Sequence, residues 1–253
     1  MKHRTITVIG PGRVGRSLIT VINTLQGYSL SEVLTRESYT AAQPADIYAI
    51  TTPDSAIGDV AQALSRVIPP GATVFHCSGA QDCNVLSPCK ERGAHIAALH
   101  PVQTFSGSLL LEETPWRCAV TYDGDRTALD VLLPFFTACG ATPIPFPEGG
   151  NRALYHAGLV FCSNYLQVCV EAGVNALSRA GFDDIAARSI IAPLSEQALK
   201  NILHAKLAEV ITGPTARGDS TTTERNLRAL GEHMPEGVEA YQALGRLVVH
   251  SLK

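Results

Sequence analysis

The sequence predicts an α/β domain built on a doubly wound, mainly parallel sheet, followed by an all-α domain. Three observations carry this. The apolar run Thr5-Ile6-Thr7-Val8-Ile9 leads straight into a glycine-rich turn, strand-like runs alternate with helical or turn patterns through the first part of the chain, and after residue 150 the pattern is helical only.

In order, strands are expected at residues 5–9, 31–35, 47–51, 73–77 and 95–99. Two further runs, 117–121 and 142–145, flank a helix at about 126–139 and extend the sheet by a βαβ-like step. The Pro- and Gly-rich stretch 143–150 interrupts regular structure and divides the chain into domains 1–148 and 149–253. Beyond it one long apolar helix is expected over about 151–180, stopped by Gly181 as a C-terminal cap. Others are expected at about 184–189, 193–210, 221–230 and 235–252, the third of these starting at a capping box formed by Thr221 and Glu224.

Composition narrows the function. With 253 residues, 45% of them hydrophobic, the chain can bury a sizeable core. A net charge of −3 without any Lys/Arg run excludes nucleic acid as the main partner and favours a small-molecule substrate. No apolar run is expected to reach membrane-spanning length, and the first residues enter a strand rather than a signal-peptide core, so the expected location is cytoplasmic, with no membrane partner. The cysteines 77, 83, 89, 118, 139, 162 and 169 are expected to be mostly buried, reduced thiols. Their spacing, even with His76 and His95 nearby, does not match a zinc knuckle, and no metal is expected.

The turn Gly10-Pro11-Gly12-Arg13-Val14-Gly15 has the G-x-G-x-x-G spacing of a dinucleotide site. Gly10 permits the tight turn, Gly12 lets the backbone approach a pyrophosphate, and Gly15 lets the following helix pack closely, with the phosphates against free amides at the helix start. At the end of the second strand, where an acid would take the ribose hydroxyls of NAD, stand Thr35 and Arg36. A hydroxyl and a guanidinium suit a 2′-phosphate, so NADP is the expected cofactor, with Glu37 one residue out of register. Thr51, Thr52 and Pro53 end the third strand on the cofactor edge, where Asp54 serves as a helix N-cap, and Ser78 ends the fourth.

Candidate chemistry starts at His100, where the fifth strand opens into the crevice. An imidazole there is placed to give or take a proton, or else to shape the turn; Gln103 follows in the same loop. On the long helix, His156 and Ser163 are seven residues apart and so share a face beside Asn164. The stripe Asn164, Gln167, Glu171, Asn175 fits a solvated face equally well. Arg217, in the glycine- and proline-bearing loop 211–220, is a cation suited to a carboxylate.

Four segments, Gly10-Pro11-Gly12-Arg13-Val14-Gly15, His100-Pro101-Val102-Gln103-Thr104-Phe105, Ser163-Asn164-Tyr165 and Thr212-Gly213-Pro214-Thr215-Ala216-Arg217-Gly218-Asp219, span nearly the whole chain. In this order they resemble the NADP-dependent oxidoreductases that join a Rossmann-like domain to a helical C-terminal domain of unknown function. More widely the chain is similar to pyrroline-5-carboxylate reductase, ketopantoate reductase and the 6-phosphogluconate or β-hydroxyacid dehydrogenases. The resemblance implies an NADP-binding α/β Rossmann domain, a helical domain that often dimerises, and a substrate held between the two. It implies hydride transfer to or from a small C=O or C=N substrate bearing a carboxylate. The chain departs from the β-hydroxyacid enzymes in lacking their lysine early in the long helix, so lysine-based proton transfer does not carry over. On this reading His100 is the first choice of acid and His156 the second, Asn164 orients the substrate, Gln103 contacts it and Arg217 holds its carboxylate. A homodimer through the helical domain, burying the helix at 151–180, is the expected assembly. The alternative is a non-catalytic NADP-binding sensor.

Overall fold

The computed structural model describes residues 3–35, 38–105 and 116–252. Seven strands, β1 (Arg4–Ile9), β2 (Tyr28–Leu34), β3 (Ile47–Ile50), β4 (Thr73–His76), β5 (His95–Pro101), β6 (Ala119–Gly124) and β7 (Thr142–Pro145), form one sheet in the order β2-β1-β3-β4-β5-β6-β7. All neighbours are parallel except β5 and β6, which are antiparallel. From β1 the chain goes to one side for β2 and to the other for β3, so a crevice opens at the ends of β1 and β3.

Alternation along each strand builds two apolar layers. Ile6 and Val8 join Phe75, Leu99 and Trp116 against α1 (Arg13–Ile22) and α4 (Arg126–Ala138). Ile9, Tyr48, Ile50 and Val74 join Ile57, Val60 and Leu64 of α2 (Ile57–Leu64) and Cys89 of α3 (Ser87–Lys90) on the opposite face. Each fully buried Ile, Leu or Phe contributes about 1.5–3 kcal/mol. Trp116 is wholly buried and its indole N–H donates to Ser17 Oγ at 2.8 Å, so no polar atom is left unpaired by that burial.

The rest is helical: α5 (Arg152–Val160), a π-turn (Phe161–Tyr165), α6 (Leu166–Arg179), α7 (Asp184–His204), α8 (Leu207–Val210), α9 (Pro214–Arg217), α10 (Ser220–His233) and α11 (Val238–Ser251). Several expectations change here. The helix expected at 184–189 and most of the one expected at 193–210 are one helix, α7, running through Pro193 to His204, and the remainder is the separate α8. Proline removes a single backbone donor, and the good helix formers that follow it continue the helix. The cap of α10 is Asp219, whose carboxylate accepts from Thr222 N at 3.0 Å, and not a box on Thr221. Asp54 lies in a 3₁₀ turn, Asp54–Ala56, and its side chain caps no helix. Of the cysteines only Cys89 and Cys139 are fully buried, while Cys162 and Cys169 are exposed.

The chain forms two compact units, Met1–Val160 and Phe161–Lys253. The division falls beyond the proline-rich stretch because α5 is tied to the sheet. Buried Arg152 pairs with Asp123 of β6, and Tyr155 bonds to Thr121 of the same strand. The helical run Arg152–Arg179, in which an 18-residue stretch has a mean hydropathy of 1.2, is long and apolar enough to cross a membrane by length and composition alone. That corrects the expectation that no run reaches such a length: Glu171 is the only Asp, Glu, Lys or Arg between its two terminal arginines.

Candidate functional site

At the β1–α1 turn, Gly10 has φ of +90° and a side chain there would meet Thr52 Cγ2 and N at 2.7 and 2.9 Å. At Gly15 a Cβ would collide with the Gly10 carbonyl and with Thr51 Oγ1, so both glycines are required by packing. Gly12 is different, with nothing within 4 Å of an added Cβ. It caps α1 with no side-chain bond and no acid in the first turn. The exposed positive end of α1 therefore faces open space, as a phosphate-binding turn requires.

Thr51 belongs to the frame of this turn: its hydroxyl donates to the Gly10 carbonyl at 2.7 Å and lies 3.0 Å from that of Ile9. The Thr52 hydroxyl is buried beside it without a hydrogen-bond partner among the described residues, while Pro53 is exposed. An uncapped helix start, open space above Gly12 and an orphan hydroxyl at the strand end all fit a dinucleotide. Ser78, 6% exposed, spends its oxygen as acceptor for Ala80 N and Gln81 N. Thr35 stands exposed just after β2; Arg36 and Glu37 lie outside the described residues.

The second part of the site grows from the antiparallel pairing of β5 and β6. Register sets His100 opposite Thr121 and Ala98 opposite Asp123. Tyr155, one turn into α5, bridges the first pair: its hydroxyl is 2.8 Å from His100 Nδ1 and 2.9 Å from Thr121 Oγ1. Arg152, three residues earlier on the same helix face, pairs with Asp123 and stacks over Phe146, its Cζ 4.2 Å from the ring centroid. The His156 ring lies 6.4 Å from that of His100.

The other wall is the loop after β4. His76, fully buried, holds it: Nε2 donates to the Asp82 carbonyl at 2.9 Å and Nδ1 accepts from Ser78 N at 3.1 Å, which fixes the neutral tautomer. Burial also pushes the His76 pKa down. The loop presents Gly79 to the imidazole of His100, where an added Cβ would lie 2.8–3.0 Å from three ring atoms. Only glycine lets the ring lie there.

Burial, then repulsion from His156 and Arg152, pushes the His100 pKa down to about 4. The ring is neutral at pH 7, which revises the expectation of an imidazole titrating near neutrality. Burial raises the Tyr155 pKa, so the phenol keeps its proton. It is then the donor to Nδ1, and the His100 proton sits on Nε2, an atom with no partner among the described residues. Burial pushes the thiols of Cys77, Cys83, Cys89 and Cys139 up to about 12, which disqualifies them as nucleophiles at neutral pH.

Of the expected catalytic residues, His100 and His156 come together. Asn164 and Arg217 belong to the second unit. Asn164 is exposed within the π-turn and its Oδ1 accepts from Ser163 Oγ at 2.9 Å. The π-turn holds more residues per turn than an α-helix, so seven residues from His156 to Ser163 do not make two α-turns. Arg217 ends α9, exposed; Gln103 is exposed after β5; Glu171 is committed to an ion pair with Arg188 of α7. Sequence reasoning missed Tyr155 and Thr121, and it read Gly79 as room for a nicotinamide where the structure sets it against the His100 ring. The one available signal for Tyr155 was its place at i+3 from Arg152, immediately before His156.

Residues 118–248 match the family described as a domain of unknown function, DUF2520, and residues 28–101 match a Rossmann-like domain. No curated protein matches the chain. Among solved structures, a candidate NADP oxidoreductase from Bacteroides fragilis is 17% identical, with a TM-score of 0.80 over 97% of this chain and 98% of that one. A reductive aminase from Aspergillus terreus, in complex with NADPH and ethyl levulinate, is 17% identical with a TM-score of 0.69 over 99% and 94%. The pyrroline carboxylate reductase of Plasmodium falciparum, with NADP bound, is 13% identical with a TM-score of 0.58 over the whole of both chains. At these identities the likeness is one of fold.

Proposed function

We propose a function for this chain, which belongs to the DUF2520 family: it is an NADP-dependent oxidoreductase that moves a hydride between NADPH and a small carboxylate-bearing C=O or C=N compound. The observation that carries this reading is the chain Thr121–Tyr155–His100, which aims a neutral imidazole donor from the end of β5. The Thr35-Arg36 pair favours the phosphorylated cofactor. The Bacteroides, Aspergillus and Plasmodium neighbours, all named for NADP or NADPH, support the same choice.

The amides at the start of α1 would hold the pyrophosphate, with Thr52 beside them, and the bound nicotinamide supplies the hydride. His100 Nε2–H donates to the substrate oxygen or nitrogen and stabilises the negative charge that develops there. As the proton leaves Nε2 for that atom, Nδ1 takes the proton of the Tyr155 hydroxyl, and Thr121 hydrogen-bonds the phenolate until water reprotonates it. No imidazolium forms, as the depressed pKa of His100 requires. Arg217 is assigned to the carboxylate, Gln103 and Asn164 to contact and orientation of the substrate, and His156 is the second candidate proton donor.

The test is a single-turnover measurement at 340 nm after a screen of keto acids and cyclic imines with NADPH and NADH. His100→Gln is expected to slow hydride transfer by roughly 10²–10⁴ with NADPH affinity unchanged. Unchanged transfer in that variant overturns the mechanism, and binding without turnover of any substrate returns the protein to a sensor role.

A further inference from the structure

The reducible group can be a C=O or a C=N, and the surroundings of His100 discriminate between the two. A carbonyl oxygen only accepts hydrogen bonds. The nitrogen of a simple imine is protonated near neutral pH, and the N–H of the resulting iminium only donates. Because the Tyr155 hydroxyl donates to Nδ1 at 2.8 Å, the tautomer of His100 leaves Nε2 as a donor. Against a carbonyl that donor meets an acceptor. Against an iminium it meets a second donor, and two N–H groups are left unsatisfied where water is scarce.

Fixed charge points the same way. Arg152, 8% exposed and one turn before Tyr155 on α5, gives Nη2 to Asp123, while its Nε and Nη1 are buried with no partner among the described residues. Its charge, with that of His156, helps to keep the His100 ring neutral. Asp123 has no oxygen to spare: Oδ2 accepts from Arg152 and Oδ1 from Cys83 N at 3.3 Å. Asp54, in the turn after β3, and Asp82, after β4, stand exposed, and Asp82 caps its own turn by accepting from Asn84 N at 2.9 Å. Water screens both. A cation at Nε2 would thus lie near a buried guanidinium whose one buried counter-ion is already paired, whereas a growing oxyanion would be drawn to the same charge.

We propose that the group reduced is a carbonyl and not an iminium, so that the substrate is an oxo acid and the product the corresponding hydroxy acid. This rests on the oxidoreductase reading above. The C=O π bond breaks as its carbon accepts a hydride, both electrons coming from NADPH, which is left as NADP+. The oxygen takes the Nε2 proton, Nδ1 takes that of Tyr155, and a proton from water restores the phenol. One NADPH and one proton are consumed for each alcohol formed.

The test sets a series of oxo acids against cyclic imine carboxylates of the same carbon count, with NADPH at neutral pH. The best oxo acid is expected to exceed the best imine in kcat/KM by roughly 10²-fold or more. A second readout needs no turnover. With the protein saturated in NADP+, a hydroxy acid and the amino acid of the same skeleton differ only in presenting a hydroxyl or an ammonium to His100, and calorimetric titration is expected to show the hydroxy acid binding about tenfold tighter or more. Imines reduced as well as oxo acids overturn the carbonyl assignment and leave the oxidoreductase standing; an amino acid bound as tightly as its hydroxy acid overturns the assignment too. Turnover of neither class brings down the reading on which the assignment rests, and the assignment with it.

Discussion

The imidazole of His100 is held by three partners far apart in sequence: Gly79 against its face, Tyr155 on Nδ1 and, through Tyr155, Thr121. Its depressed pKa ties the site to stability. With a pKa of about 4 in the folded chain and the ordinary 6.5 when unfolded, the unfolded state takes up its proton first as pH falls. The contribution is therefore complete above pH 6.5, declines below it and is gone near pH 4, and amounts to on the order of 3 kcal/mol at most. Urea midpoints measured from pH 7.5 to 4.5 are expected to fall more steeply in the natural protein than in His100→Gln; parallel curves would show that the ring is not held neutral. Tyr155→Phe removes the donor to Nδ1, and is expected to lower kcat roughly 10²-fold with KM little changed. A raised KM at unchanged kcat would place Tyr155 in substrate binding instead. None of this geometry was legible in the sequence. His100 stood out because it ends a strand before a proline, but its partners sit 21 and 55 residues away and no local pattern encodes them.

Elements were read most reliably where the signal is local. The glycine turn lies where its spacing put it, because Gly10 and Gly15 are fixed by contacts within the β1–α1 turn and the neighbouring end of β3. The π-turn and the passage of α7 through Pro193 were hidden, since apolar periodicity averages over a single added residue and proline statistics overstate one lost bond. The uncapped start of α1 carries its own prediction. Arg13→Glu puts an acid beside the free amides, which steadies the empty helix by a few tenths of a kcal/mol but repels a pyrophosphate. NADPH affinity is expected to fall about 5- to 30-fold by fluorescence titration while Tm holds or rises slightly. An unchanged affinity would move the phosphate site elsewhere.

At the scale of the whole molecule, two units differ in how they acquire an interior. The sheet unit buries two apolar layers of its own, whereas Phe161–Lys253 buries three described residues. If the second unit closes on another copy, its melting depends on chain concentration. A tenfold increase is expected to raise Tm by about 3 °C or more, followed by circular dichroism at 222 nm, and a Tm independent of concentration would contradict it. The sequence announced the helical composition of this unit but not its lack of a core, because apolar content says how much is available to bury and not where the cover comes from. In the sheet unit, β6 has one further consequence. Thr121 and Asp123 point to the site while Val120 and Tyr122, which alternate with them, pack into the apolar layer. A slip of one residue would drive a hydroxyl and a carboxylate into oil and expose two hydrophobes, so the greasy side of the strand polices the alignment of its reactive side. Precision at the Tyr155 hydroxyl is thus inherited from hydrophobic packing, and random changes to Val120 or Tyr122 should detune catalysis before they unfold the protein.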